Sequence, residues 1–349
     1  MTPGTSVAAI EPALETSENG LALILPFLRP IEALIRDPTI SEVMVNGPTE
    51  VFIERQGCLE RVPGIRLNEK SLVAAIKNIA RALGDDISVE QPLLDARLPD
   101  GSRVAAALRP PSVNGVVLTI RKFQSRRYAP EELVALGSLP ASMLTLLRTA
   151  VERGENILIS GGPGTGKTTM LNALARLIPD AERIVIIEDP AEIDLPKPDI
   201  VRFEARRAQG RLAAVTIKQL VRHALRHRAD RLIVGEVRGA EAFDLLQAWN
   251  TGHAGSLSTI HASAPRLAVS RLASCVLMAE EQLPHAAIVA QIADSIQYVL
   301  QIVRRGGRRY AAELARVVGY SMTRRACQLE SIEIYDGSGI QTISDVRIS

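Results

Sequence analysis

Aromatic residues are scarce, at 3% of 349 positions with a single tryptophan. Stacking platforms for single-stranded nucleic acid therefore have little material to work with. Cysteine is scarce too. Cys58, Cys275 and Cys327 stand far apart, with no C-x-x-C spacing and an odd count, which predicts a reducing compartment, no disulfide framework and no structural zinc. The longest apolar run near the N-terminus, residues 21–28, contains Pro26 and falls far short of the ~20 residues of a membrane helix. Glu11, Glu15 and Glu18 precede it where a secretory signal carries basic residues, so the expectation is a cytoplasmic protein without a transmembrane segment. Charge of one sign is also missing: 41 Lys+Arg against 39 Asp+Glu leave +2, which excludes a globally basic nucleic-acid coat. That near-neutrality is a cancellation. Residues 206–231 hold eight bases and one acid and residues 304–325 seven and one, so the remainder is net acidic. What is plentiful is apolar material, 46% of the chain, enough for roughly two domains of ordinary globular composition.

Residues 1–20, rich in Thr, Ser, Glu, Pro and Gly without apolar period, read as a disordered tail. Residues 21–123 read as a small α+β domain. A helix-like segment (LALILPFLRPIEALIRD) leads into EVMVNG and EVFIERQGCLERV, alternating runs separated by NGP and QG, which signal antiparallel strands and tight turns. Leu72, Ile76, Ile79 and Leu83 then recur at helical spacing, between a candidate N-cap at Asn68 and a stop at Gly84. Two strand-like pieces flank Pro-Asp-Gly in LLDARLPDGSRVAAAL, and VVLTIRKF follows. The polar QSRRYAPEE opens a predicted linker over residues 124–137. From 138 to 349, strand-like and helix-like runs alternate, which predicts an α/β domain with a parallel sheet covered on both faces. After about residue 296 the pattern changes to a small antiparallel appendix.

Residues 161–168, GGPGTGKT, match G-x-x-x-x-G-K-[ST], between a β-like run ending at Ser160 and a helix-like run from Thr169. Glycines let successive backbone N–H groups turn inward around a phosphate, at the positive end of the following helix. Gly162, Pro163, Gly164, Thr165, Gly166, Lys167, Thr168 and Thr169 are thus the candidate nucleotide cradle. Lys167 would neutralise the β- and γ-phosphates, and the Thr168 hydroxyl would hold Mg²⁺. The loop alone leaves GTPases, kinases and helicases open. Two further strand ends carry acids: IVIIED ends in Glu188 and Asp189, with Glu192 just beyond, and LIVGE ends in Glu236. Acids at strand C-termini of such a sheet face the bound nucleotide, where one can order magnesium and another can polarise the attacking water. All five histidines lie between 223 and 285; His253 and His261 flank a small-residue turn and a short strand. No acid or cysteine stands near them in sequence for metal ligation, so an imidazole here, neutral or charged, reads as a sensor of the γ-phosphate.

The four elements GGPGTGKTT, IIEDPAE, LIVGEVRG and TGHAGSLSTIHA, in this order, resemble the Walker A, Asp box, Walker B and His box of the secretion-superfamily traffic ATPases. SEVMVNGP, PLLDARLPDGSRVAAALRPP and LTIRKF resemble that family's N-terminal domain. Within the superfamily the His box is most similar to that of the tight-adherence (Flp/Tad) pilus-assembly ATPases, with the type IV secretion and conjugation ATPases next. The resemblance implies a RecA-like ATPase domain joined to a smaller PAS-like domain, ATP between them, and a head-to-tail homohexamer. It implies ATP and Mg²⁺ as cofactors, and a location in the cytoplasm at the inner membrane against a pilus or secretion platform protein. It also implies roles: Glu236 as catalytic carboxylate, Glu188 and Glu192 as support for magnesium and water, and His261 on the γ-phosphate. Arg103 and Arg121 would lie against the phosphates, and Arg238 could serve a neighbouring site. Thr168, Glu188 and Asp189 would order the metal, the more so because Gly235 stands where many P-loop ATPases carry aspartate.

Two other functions remain open at this point. A nucleic-acid translocase on the same core is supported by the basic stretches and opposed by the aromatic poverty, so no direct nucleic-acid partner is expected. A nucleotide-gated scaffold that never turns over is opposed by the intact Lys167, Thr168 and Glu236. The stretch 206–231 reads as a solvated or subunit-interface face, and 304–325 as surface.

Overall fold

The computed structural model describes residues 25–123, 127–208, 213–279 and 283–342. The tail predicted for residues 1–20 lies outside them, as do residues 124–126 of the predicted linker. The described residues form two compact units, divided after residue 124.

The first unit is a six-stranded antiparallel sheet in the order β3-β2-β1-β6-β5-β4. Its strands are β1 (Ile40–Asn46), β2 (Val51–Arg55), β3 (Cys58–Val62), β4 (Leu93–Arg97), β5 (Arg103–Ala107) and β6 (Val117–Arg121). The Gln-Gly signal becomes the two-residue turn between β2 and β3, both residues at positive φ as the right-handed strand twist requires. Alternate residues (Val43, Val45, Val51, Ile53, Val104, Leu118, Ile120) are buried against helices α1 (Arg29–Arg36) and α2 (Glu69–Ala82). The helical stripe predicted for α2 is the face it buries, and the Asn68 carboxamide caps it by accepting from Lys70 and Ser71 N–H. The helix predicted from residue 21 starts later in the described residues: a 3₁₀ turn over Leu25–Phe27 precedes α1, which has Pro30 in its first turn. Lys122, half buried, donates Nζ to the carbonyls of Ile35 and Asp37 at the C-terminal end of α1, where a helix exposes unpaired acceptors.

In the second unit nine strands form one sheet, β15-β14-β13-β12-β7-β11-β10-β8-β9. From β12 (Tyr298–Arg305) through β7 (Ile157–Gly161), β11 (Leu257–Ile260), β10 (Arg231–Val237), β8 (Ile184–Glu188) and β9 (Ile200–Glu204), all neighbours are parallel. The expected two-sided burial is visible along β7. Ile157 and Ile159 enter a core with α3 (Pro130–Ala135), α4 (Ala141–Glu152) and α5 (Lys167–Ala175). Leu158 enters the opposite core with α6 (Ile217–Ala224), α7 (Glu241–Asn250), α8 (Pro265–Leu277) and α9 (His285–Ser295). Two details differ from the sequence reading. Residues 130–135, inside the predicted linker, are the helix α3, which buries Leu133 in the second unit; a six-residue helix is too short to show a clear apolar period. The antiparallel strands after residue 296 are present, but they continue the main sheet. β12 is in parallel register with β7, and β13 (Arg308–Ser321), β14 (Ala326–Tyr335) and β15 (Ile340–Thr342) follow by antiparallel pairing.

Candidate functional site

Four strands of the second unit deliver chemistry at their C-terminal ends, the edge where open α/β sheets bind ligands. β7 runs into the glycine loop, β11 into His261, β10 into Glu236, and β8 ends on Glu188. β11 lies between β7 and β10 in the sheet, so His261 stands between the loop and the acid.

The loop is built by exclusion and by backbone freedom. A Cβ at Gly161 would lie 2.6 Å from Thr165 Oγ1 and 2.8 Å from the Ile302 carbonyl, so only glycine permits this closure. Gly164 and Gly166 adopt φ of +65° and +95°, which L side chains rarely tolerate. Thr165 Oγ1 and Lys167 Nζ both donate to the Gly162 carbonyl, at 2.9 and 3.0 Å. Lys167 opens α5 and is 92% buried, with Nζ 3.4 Å from His261 Nδ1. Thr168 and Thr169 follow in the first turn of α5, half buried. This donor set fits a nucleotide phosphate with its magnesium: backbone N–H groups at a helix start, one ammonium, and a hydroxyl beside it.

A chain of contacts leads from Lys167 to the acid. His261 Nε2 lies 2.9 Å from Glu236 Oε1. Arg238 forks onto the same carboxylate, with Nε 2.9 Å from Oε1 and Nη2 donating to Oε2 at 2.9 Å. Burial pushes the Glu236 carboxyl up, but Arg238, His261 and Lys167 together outweigh it and hold the group below the usual glutamate range. Burial and the Lys167 charge push the His261 imidazole below its ordinary value against the pull of Glu236. Arg238, which could serve a neighbouring site, is paired with Glu236 within the single chain. Asp189 and Glu192 add to the negative field that Arg238 feels.

Glu188 is placed differently from a direct ligand. It is 97% buried, and its Oε1 accepts from Glu192 and Ile193 N–H, both at 2.8 Å. Its Oε2 lies 3.9 Å from Arg202 Nη2. Burial raises its pKa to about 7 in spite of these partners. Glu188 thus organises the turn that presents Glu192. It also explains Gly235: a Cβ there would stand 3.1 Å from Glu188 Cγ, so the side chain from β8 fills the space that an aspartate at 235 would need. Asp189, next to it, is exposed.

Arg103 and Arg121 belong to the first unit. They are direct cross-strand partners on β5 and β6, so their side chains share a face, continued by Arg97 on β4 and Glu42 on β1. Glu42 Oε1 lies 3.4 Å from Arg121 Nε.

Several contributors escape a motif search. Ser160 donates to the Gln301 carboxamide, whose Nε2 reaches the Ala262 carbonyl at 3.3 Å, joining the strand ends before and after the site. Arg309 donates Nε to the Gly164 carbonyl at 2.8 Å, although the stretch 304–325 reads as plain surface. Its only sequence signal is the Arg-Arg-Gly-Gly-Arg-Arg hairpin pattern, and that gives no hint of what the hairpin lies against.

The family model for "Type II/IV secretion system protein" matches residues 27–346. The chain belongs to that family. Among its relatives, the putative conjugal transfer protein Rv3659c of Mycobacterium tuberculosis is 36% identical over 320 residues, 89% of this chain and 88% of that one. The type IV secretion system protein PtlH of Bordetella pertussis is 36% identical over 294 residues, 77% and 87% of the two chains. Among solved structures, the ATPase DotB of Legionella pneumophila superposes with a TM-score of 0.58 at 22% identity, over 90% of this chain and 84% of that one. That likeness establishes the shared α/β fold, with a RecA-like core in the second unit. Among the described residues no helix of this secretion-family chain is long and apolar enough to cross a membrane.

Proposed function

We propose that the chain is an ATP-hydrolysing motor of a type II/IV secretion or pilus machine, working as a head-to-tail homohexamer at the cytoplasmic side of the inner membrane. The observation that carries this reading is the convergence of Lys167, His261 and Glu236 on three neighbouring strand ends. Bound ATP with magnesium supplies the scissile anhydride. The chain's own groups do the rest. The N–H groups of Gly162 and of residues 164–167 bind the β-phosphate, and the Lys167 ammonium neutralises charge on the β- and γ-phosphates. Thr168, with Asp189 and Glu192, would hold the magnesium, and Glu188 orients that turn from behind. Glu236, held ionised, accepts a hydrogen bond from the attacking water and aligns it for in-line displacement. His261, with Nε2 on Glu236 and Nδ1 turned to the Lys167 ammonium, holds the acid and the base in register beside the γ-phosphate. Arg103 and Arg121 would add positive charge where the transition state spreads negative charge over the phosphoryl oxygens.

The relatives named for conjugal transfer and type IV secretion favour substrate transfer, whereas the His-box wording favours assembly of a tight-adherence pilus. Deleting the gene and scoring both pili and secreted or transferred cargo separates the two. The hydrolytic core of the reading is tested on the full-length protein, taken at the gel-filtration volume of a hexamer. Lys167→Ala is expected to lose nucleotide binding. Glu236→Gln is expected to bind ATP normally and to lose at least about 10²-fold in phosphate release. An active Glu236→Gln enzyme sinks the assignment.

A further inference from the structure

β12 and β13 meet in a two-residue turn, Gly306-Gly307, with Arg305 paired to Arg308 and Arg304 paired to Arg309. Both glycines have positive φ, +55° and +77°, as a tight turn between twisted strands requires, and this locks Arg304 and Arg309 side by side on one face. Because β12 is in parallel register with β7 as far as Ile302 opposite Gly161, the hairpin runs on past the end of β7. It therefore lies beside the phosphate loop. Arg309 Nε donates to the Gly164 carbonyl at 2.8 Å. The Arg304 guanidinium stands 3.6 Å from where a Gly164 Cβ would be, and the aliphatic Cδ of Arg309 lies 3.8 Å from the corresponding point at Gly166. Both left-handed glycines of the loop are thus flanked by this one hairpin.

We propose that Arg309 is a positioning residue for nucleotide binding, and that the Arg304–Arg309 pair sets the orientation of the loop's amides. The proposal rests on the reading of residues 161–168 as the ATP site and adds a further determinant to it. The peptide joining Gly164 to Thr165 is planar, so its C=O and N–H point in opposite directions. A guanidinium that draws the Gly164 carbonyl outward turns the Thr165 N–H away from the hairpin, into the hollow of the loop, where the phosphate is bound. Left-handed glycine backbone is otherwise free to rotate this peptide, because glycine populates both signs of φ with little preference. Arg309 removes that freedom before ligand arrives. Its positive charge, with that of Arg304, also lies on the anion's side of the sheet.

The test uses full-length protein and measures the equilibrium affinity of ATP and ADP, together with KM and kcat. Arg309 is exposed, so its replacement is expected to leave the fold intact. Arg309→Ala should weaken ATP and ADP alike by about tenfold, the value of one charge-assisted hydrogen bond, and raise KM by a similar factor while lowering kcat less. Arg309→Lys, which keeps a cationic donor, should recover most of that loss. Unaltered nucleotide affinity in Arg309→Ala overturns the proposal. So does a loss that Arg309→Lys fails to recover and that is matched by a fall in ligand-free melting temperature, since that describes a hairpin that merely supports the fold. Failure of the wild-type chain to bind either nucleotide defeats the ATP reading itself, which keeps the two failures distinct.

Discussion

Glu188 shows how one buried carboxyl can serve geometry and still carry a pH signature. Burial raises its pKa from 4.5 to about 7. The unfolded chain releases this proton near 4.5 and the folded chain near 7, so between those values the folded state binds more protons. Its contribution to stability is therefore fullest below 4.5 and is lost as pH rises to about 7. For an interior group this amounts to about 2–3 kcal/mol across that window. Glu188→Gln keeps an acceptor for the Glu192 and Ile193 amides and cannot ionise. In nucleotide-free protein with a chelator present, its stability relative to wild type should rise by about that amount between pH 5 and pH 7.5, read by urea denaturation. Parallel pH profiles for the two proteins would show that Glu188 does not titrate in this range. Glu188 was legible as an acid at a strand end. That its carboxylate turns to backbone amides, and that Gly235 is small to make room for it, depends on the packing of β8 against β10.

At the scale of elements, the strands of the second unit are tied together at the end opposite the site. Asn156, which precedes β7, accepts from Ser256 N–H at 2.8 Å and donates to the Ser295 carbonyl at 2.7 Å. Its backbone carbonyl accepts from Gln297 and Tyr298, so one residue joins the starts of β7, β11 and β12. Asn156→Ala leaves a buried donor and a buried acceptor without partners. It should cost about 2–4 kcal/mol in urea denaturation. Nucleotide affinity below the transition should be unaltered, because the loop lies at the far end of the strands. A loss under about 1 kcal/mol would mean that water replaces the carboxamide. The elements themselves were largely readable: Asn68 and Gly84 bound α2 as expected, and the alternation of strand and helix after residue 138 predicted the parallel sheet. The exceptions were α3, too short for a period to emerge, and β12. A run such as YVLQIVRR reads equally well as an edge hairpin or as a buried strand next to the glycine loop; only its long-range partner distinguishes them.

At the scale of the molecule, each unit has its own core, and the arginines expected to meet the phosphates belong to the unit that lacks the glycine loop. If hydrolysis draws on both, Arg103→Ala combined with Arg121→Ala in the full chain should lower kcat by about 10²-fold. The Lys167 cradle is unaltered in that variant, so ADP should still bind. Normal turnover in the double variant would confine catalysis to the second unit.

Local features were enough for the sequence alone to determine the glycine loop, the acids at strand ends, the presence of two compact units and the type II/IV secretion family. Each of these rests on residues close together in the chain, where spacing and side-chain chemistry speak directly. The tertiary structure alone decided which strand lies beside which. Inserting β11 between β7 and β10 placed His261 between Lys167 and Glu236, and laying β12 along β7 brought Arg309 to Gly164 across 145 positions of chain. Strand order follows from burying both faces of one sheet, a requirement met by the whole chain at once and by no segment of it alone.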